Sequence, residues 1–208
     1  MHPNPIFRTT TADASLDLVR ARSFGTLTIN ADPAPLMAHV PVLLSGDARY
    51  ADLHLVRSNP IARALPAQAR LAVMGPDSYI SPDWYEVPDQ VPTWNYVAVH
   101  MLGRLELRPQ DTLHDLLDAQ SKHFEDQLAP KPPWQSSKMS DGVMERMMRA
   151  IVPARLWIEE VDSTWKLNQN KDDDVRLRAA DAVARSGIGT DLTELSALMR
   201  DPPATKDS

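Results

Sequence analysis

The chain has 208 residues, 43% hydrophobic and 24% charged, an ordinary globular balance that gives one domain room for a sizeable core. It contains no Cys, which excludes disulfides, thiolate metal sites, iron–sulfur ligation and a cysteine nucleophile. Its 22 basic against 28 acidic residues leave a formal charge of −6, the wrong sign for non-specific DNA binding through counterion release.

In chain order, Thr10 to Arg22 predicts a short helix, with Leu16 and Val19 three apart behind capping Thr and Asp residues. Phe24 to Ile29 alternates and is rich in β-formers, a first strand. Leu36 to Leu44 is a second strand, whose Pro41 predicts an edge position or a bulge. Ser45-Gly46-Asp47 supplies turn chemistry and Tyr50 to Val56 alternates again, completing a β-meander. Asn59 and Pro60 are suited to the N-cap and first position of a short helix. Leu71 to Met74 predicts a short apolar strand ended by Gly75-Pro76, and the Pro-rich, aromatic stretch Asp77 to Pro92 predicts a structured loop.

Trp94 to Leu107 is the longest strand predicted. Val97, Val99 and Met101 share one face and Tyr96, Ala98, His100 and Leu102 the other, so both faces are apolar enough for a closed or packed sheet. Gln110 to Leu128 has the spacing of an amphipathic helix through Leu113, Leu116, Leu117, Phe124 and Leu128, broken by the Pro-rich run up to Trp134. A helix follows through Val143, Met144, Met147, Met148 and Ile151, then one bent strand or a strand pair over Ala154 to Leu167. Asp172 to Arg185 and the Leu192, Leu195, Leu198 repeat predict two closing helices, and the polar residues after Pro203 are expected to fray. About six strands with helices inserted late predict an α+β barrel.

No apolar run approaches the roughly 20 residues that span a bilayer. The start, Met1-His2-Pro3-Asn4-Pro5, has no basic stretch leading into an apolar one. A soluble, cytoplasmic protein with no membrane partner is expected.

Several segments carry chemistry. Two Trp and three Tyr fall between Tyr79 and Tyr96, where they either wall a pocket for a planar ligand or plug one end of a barrel. Asn95 offers a donor and an acceptor, for a heterocycle edge or for the adjoining backbone. Arg57 presents a planar charged fork suited to phosphate, with Ser58, Asn59 and the following helix start beside it; the alternative is a solvated surface charge. His39 beside Pro41 is a ligand contact or a satisfied core histidine. Trp165-Lys166-Leu167-Asn168-Gln169-Asn170 gathers an ammonium and three amides, for a polar cofactor edge or as a capped strand exit. The six His lack metal-ligand spacing, Asp172-Asp173-Asp174 suits a helix N-terminus better than a metal, and no P-loop, G-x-G-x-x-G or G-x-S-x-G occurs, so no metal site is expected.

Together these segments resemble the PaiB family, described as FMN-binding negative transcriptional regulators. The resemblance rests on Arg57-Ser58-Asn59-Pro60, on Tyr79-Ile80-Ser81-Pro82 through Trp84-Tyr85, on Pro92-Thr93-Trp94-Asn95-Tyr96, and on Trp165-Lys166-Leu167 with Gln169-Asn170, from Phe7 to about Arg185. It implies an FMN-binding split barrel over residues 1–170, with a helical insertion at 109–152 and a helical extension at 171–208. It further implies a homodimer with a flavin, FMN, in a groove between subunits. Within those motifs, Arg57 would meet the phosphate with Ser58 or Asn59. Trp94, Asn95 and Tyr96 would border the ring, with His39 nearby among the cofactor-binding residues, and Lys166, Gln169 and Asn170 would close the site. Many family members carry Ala where this chain has Ser58. The regulator role is expected to be indirect, because no helix-turn-helix signature is present and the charge opposes direct DNA binding. The basic residues Arg176, Arg178 and Arg185 read as a solvated helix face. Alternatives are a flavin-dependent oxidoreductase of unknown substrate and a haem-binding split barrel with His39 or His100 as axial ligand.

Overall fold

A computed structural model describes residues 1–205; residues 206–208, the end of the tail expected to fray, lie outside the described residues. After a 3-10 turn at Pro5–Phe7 come α1 (Ala12–Arg22), β1 (Phe24–Ile29), β2 (Leu36–Leu44), β3 (Tyr50–Val56) and α2 (Pro60–Arg63). Next come β4 (Ala67–Ile80), β5 (Thr93–Leu107), α3 (Leu113–Glu125), α4 (Val143–Met148) and β6 (Ile151–Lys166). The chain closes with α5 (Asp173–Val183), β7 (Gly189–Thr190) and α6 (Leu192–Arg200). The sheet order is β1-β2-β3-β6-β5-β4-β7, and β1 also pairs with β4. Six antiparallel strands therefore close on themselves, the barrel that the strand count predicted, with helices around it.

Three local expectations are corrected. Pro41 is not on an edge strand, since β2 lies between β1 and β3. It is tolerated because the β1 pairing runs out at Phe24↔Pro41 and the β3 pairing begins at Val42↔Leu53, so the missing N–H falls at the changeover. Gly75-Pro76 does not end its strand; β4 continues to Ile80. Pro76 falls in the interval between the β1 pairing at Ala69–Ala72 and the β7 pairing at Asp77–Ser78. The helix expected to reach Ile151 ends at Met148, and β6 starts at Ile151 and runs to Lys166 as one strand, the single-strand alternative of the two expected.

The chain divides into two compact units. The barrel-wall unit comprises Ser23–Ala72 and Met101–Glu160. Alternation sends Leu27, Ile29, Ala51, Leu53, Leu55, Leu71, Met101, Leu105, Ala154 and Leu156 inward, all fully or nearly fully buried. Each large aliphatic side chain there contributes about 1.5–3 kcal/mol by leaving water. Asn59 caps α2 as its sequence predicts, its side chain accepting from the Ile61 N–H at 2.9 Å. Outside, β3 and β6 face each other as Tyr50↔Trp157, Asp52↔Arg155 and His54↔Pro153. The Arg155 guanidinium donates twice to Asp52 at 2.7 Å and lies 3.5 Å from the Tyr50 ring centroid. Helix α3 is tied to this wall by Gln120, whose Oε1 accepts from His54 Nδ1 at 2.9 Å while its Nε2 donates to the Pro41 carbonyl at 3.3 Å. Burial lowers the His54 pKa, against the opposing effect of the Gln120 bond.

The terminal unit comprises Met1–Arg22, Val73–His100 and Val161–Ser208. Its core gathers Leu18 and Val19 of α1, Val97 and Val99 of β5, Val175, Ala179 and Val183 of α5, and Leu195 and Met199 of α6. Gly75 lets α1 come close: a Cβ there would sit 3.0 Å from Val97 Cβ and 3.2 Å from Leu18 Cδ2. Helices α5 and α6 pack as a pair, with Ser196 Oγ donating to the Ala180 carbonyl at 2.8 Å. Arg176 corrects the expectation of a solvated helix face. It is buried and donates to the carbonyls of Met199 and Arg200 and to Asp173.

Gly103 marks the tightest approach in the barrel wall, because a Cβ there would lie 1.7 Å from the Trp157 carbonyl oxygen. That oxygen belongs to backbone and cannot swing aside. Gly103→Ala is expected to lower unfolding free energy by about 3 kcal/mol, read as a reduced urea midpoint at unchanged m-value.

Candidate functional site

The terminal unit brings several of the expected site residues together. Strand β5 opens with Thr93, Trp94, Asn95 and Tyr96, and its alternation turns Asn95 fully inward. Trp94 stays 46% exposed. It meets Tyr79 edge-on, with centroids 6.5 Å apart. Tyr96 is half-buried. Asn95 donates weakly to Met199 Sδ at 3.5 Å, and its Oδ1 has no hydrogen-bond partner.

Lys166, the last residue of β6, hydrogen-bonds through Nζ to the Thr93 hydroxyl and lies 5.8 Å from the Phe7 ring centroid. The ammonium is half-buried, and among the described residues it has no carboxylate within ion-pair distance. Burial alone lowers its pKa. The His2 pKa is lowered as well, first by burial and then by the charges of Lys166 and the N-terminal amine.

The residues after β6 divide by role. Asn168 adopts a left-handed conformation (φ 63°), which Asn tolerates better than most residues. It is buried; its Oδ1 accepts from the Tyr85 hydroxyl at 3.3 Å and its Nδ2 has no partner. Burial raises the Tyr85 pKa against that bond. Gln169 closes the turn: Oε1 accepts from the Leu167 N–H at 2.8 Å, and Nε2 donates to the carbonyls of Trp165 and Ile6. Asn170 is exposed. Lys171 bonds Gln90 Oε1 and lies 5.0 Å from the Tyr85 ring centroid.

The remaining expected residues belong to the barrel-wall unit. Arg57 follows β3 and is spent on structure. Its Nε donates to the Arg149 carbonyl at 2.9 Å, and its Nη2 to Gln110 Oε1 at 2.9 Å and the Ile151 carbonyl at 3.2 Å. These bonds clip the start of β6. Ser58 is exposed, its carbonyl accepting from Arg63, and Asn59 is occupied as the α2 cap. His39 is exposed on the outer face of β2, its Nδ1 3.0 Å from Thr26 Oγ1, its register partner on β1. His100 is half-buried on β5. No group of three or more His, Asp or Glu among the described residues is placed to hold a metal ion.

Sequence reasoning missed Thr93 as the partner of Lys166, and Phe7, Asn168 and Lys171 as neighbours of the aromatic segment. Only Asn168 carried a local signal, an Asn just past a strand end. The other contacts join segments far apart in the chain.

This arrangement defines a six-stranded barrel protein with flanking helices, in which an ammonium without an acidic partner among the described residues ends β6 and an exposed Trp94 stands at the start of β5. In fold it is similar to the FAD and heme binding protein from Mycobacterium smegmatis, with a TM-score of 0.57, 17% identity, and 88% of this chain and 82% of that chain covered. It is also similar to the flavocytochrome Anf3 from Azotobacter vinelandii, with a TM-score of 0.54, 15% identity, and 99% of this chain and 80% of that chain covered. At such identities the likeness is one of fold. Residues 1–160 match the family described as "Putative FMN-binding domain". The chain is 31% identical over 171 residues to the protease synthase and sporulation protein PAI 2 of Bacillus subtilis (strain 168), covering 80% of this chain and 81% of that protein. The protein belongs to this FMN-binding-domain family, the PaiB family, as its motifs implied.

Lys166 generates a pH prediction. Because its folded pKa lies below the ordinary lysine value of 10.5, the unfolded chain binds that proton more tightly. Its contribution to stability therefore rises as pH climbs from the folded value towards 10.5. NMR titration of the lysine side chains should show Lys166 titrating below the other lysines, and Lys166→Met should flatten the alkaline part of the stability profile.

Proposed function

We propose that the protein binds FMN at the cluster formed by the start of β5 and the end of β6. We further propose that it acts as a homodimer whose effect on gene expression is indirect. The observation that carries the first part is Lys166. A half-buried ammonium with no counter-charge is costly unless an anion completes it, and Trp94, the residue after the Thr93 that holds the ammonium, offers an exposed ring to a planar ligand. The unpartnered Nδ2 of Asn168 adds a buried donor in the same turn. The residues present thus fit a flavin nucleotide. A bound flavin supplies hydride- and electron-transfer chemistry. The chain's own part is to hold it: Lys166 donates to an anionic oxygen, Thr93 fixes the ammonium, and Trp94 and Tyr96 offer aromatic surface.

Arg57 is the rival anion anchor. Its fork already serves two carbonyls and an amide, so phosphate binding there would have to displace structural bonds or use Nη1 alone. The homodimer is supported by the family resemblance and by the outer face of β1 and β2, where Phe24 (53% exposed) and Met37 (63% exposed) stand at opposite ends of the ladder with Thr26 and His39 between them. The indirect effect is supported by the net charge of −6 and by Arg176 and Arg178, which are bound inward. Among the described residues no helix is long and apolar enough to cross a membrane.

FMN titration followed by flavin fluorescence should show saturable binding, weakened about tenfold or more by Lys166→Met and changed little by Arg57→Ala. The reverse ranking would move the anion site to Arg57, and no binding by the wild-type protein would overturn the reading. Sedimentation should give a dimer that the double substitution Phe24→Glu, Met37→Glu converts to monomer; a monomeric wild type would dismiss the dimer.

A further inference from the structure

The outer wall of the barrel, beneath α3, carries a solvent-open pocket of about 270 Å³. That is slightly below the roughly 300–1,000 Å³ of pockets for drug-sized ligands, so its occupant is a small molecule. The wall side is lined by Leu43 of β2 and by Pro153 and Ala154 of β6, and the helix side by Leu116 and Ala119 of α3.

Four charged residues also line it, and they are not equivalent. Arg155 and Asp52 satisfy each other through two bonds of 2.7 Å across the β3–β6 ladder. Arg108, just past β5, is half-buried, and its main-chain N–H is fixed to the Pro153 carbonyl at 2.9 Å. Its guanidinium has no carboxylate within ion-pair distance and no hydrogen-bond acceptor among the described residues. Asp115, exposed in the first turn of α3, has no cationic partner among the described residues. The helix dipole favours an acid at that position, but it gives Arg108 no counter-charge.

One cavity therefore presents a free guanidinium, a free carboxylate and an aliphatic wall. We propose that it binds a free α-amino acid with an apolar side chain. Arg108 takes the carboxylate, Asp115 takes the ammonium, and Leu43, Leu116 and Ala119 receive the side chain. A zwitterion gives a partner to both charges while leaving the Arg155–Asp52 pair intact. This site shares no residue with the FMN reading and stands without it.

Calorimetric titration of the full chain with L-leucine tests the proposal. Saturable binding is expected at millimolar concentrations. Leucinamide, which lacks the carboxylate, and isocaproate, which lacks the ammonium, should each bind about tenfold more weakly or worse. These analogues act on the wild-type protein, so the comparison does not depend on a variant folding. Arg108→Gln and Asp115→Asn should reproduce the two losses separately, whereas Lys166→Met should leave L-leucine binding unchanged. No saturable heat with L-leucine, or an analogue binding as tightly as L-leucine, overturns the proposal.

Discussion

The pairing of β1 with both β2 and β4 is the constraint on which this structure depends. It closes the sheet, so the barrel strands have no free edge on which another chain could template. Closure also gives each strand an inside and an outside. In the barrel-wall unit the inside is aliphatic. The outside is covered unevenly: α3 covers the wall at His54, while Phe24, Met37 and His39 of β1 and β2 are exposed. A wall closed this tightly also accounts for Gly103, whose missing side chain leaves room for the Trp157 carbonyl.

How the protein treats its cations separates structure from function. Arg57 clips the start of β6, Arg155 pairs with Asp52, Arg176 caps the carbonyls that end α6, and Arg178 donates twice to the Tyr85 carbonyl. The planar fork of arginine suits such multiple bonds, and a guanidinium so engaged has little left for a ligand. Lys166 is different. It is a compact charge, half-buried, held only by a hydroxyl near a ring. Arg108 is half-buried without a side-chain partner, and it shares a pocket with Asp115, an exposed acid without a cationic partner among the described residues. The two proposed ligands follow from these two departures from charge pairing.

The match to the FMN-binding-domain family does not reach Lys166: it spans residues 1–160 and so includes Thr93 to Tyr96. The ammonium joins the aromatic strand start through tertiary structure, by bonding to Thr93. Helices α5 and α6, also beyond the matched residues, pack against the same unit: Arg178 holds the Tyr85 carbonyl, and Met199 lies against Asn95. The carboxyl-terminal part of the chain therefore helps build the surroundings of the candidate site.

Local patterns specified the elements. Alternation marked β1, β2 and β3 to the residue, helical spacing marked α1, α3, α5 and α6, and Asn59-Pro60 announced the start of α2. Those features depend on neighbours one to four positions away, so the chain states them directly. Punctuation by proline and glycine misled, because whether Pro41 or Pro76 breaks a strand depends on which partner lies alongside at that residue. The site was legible as residue types, an aromatic strand start and an amide-rich strand exit, but not as a contact. The amino-acid sequence by itself determined a Cys-free, acidic α+β barrel of the PaiB type with candidate aromatic and basic residues. Only the tertiary structure decided which of those charges are spent and which are free, because ion pairing is set by distance and burial between segments that the sequence separates by tens of residues.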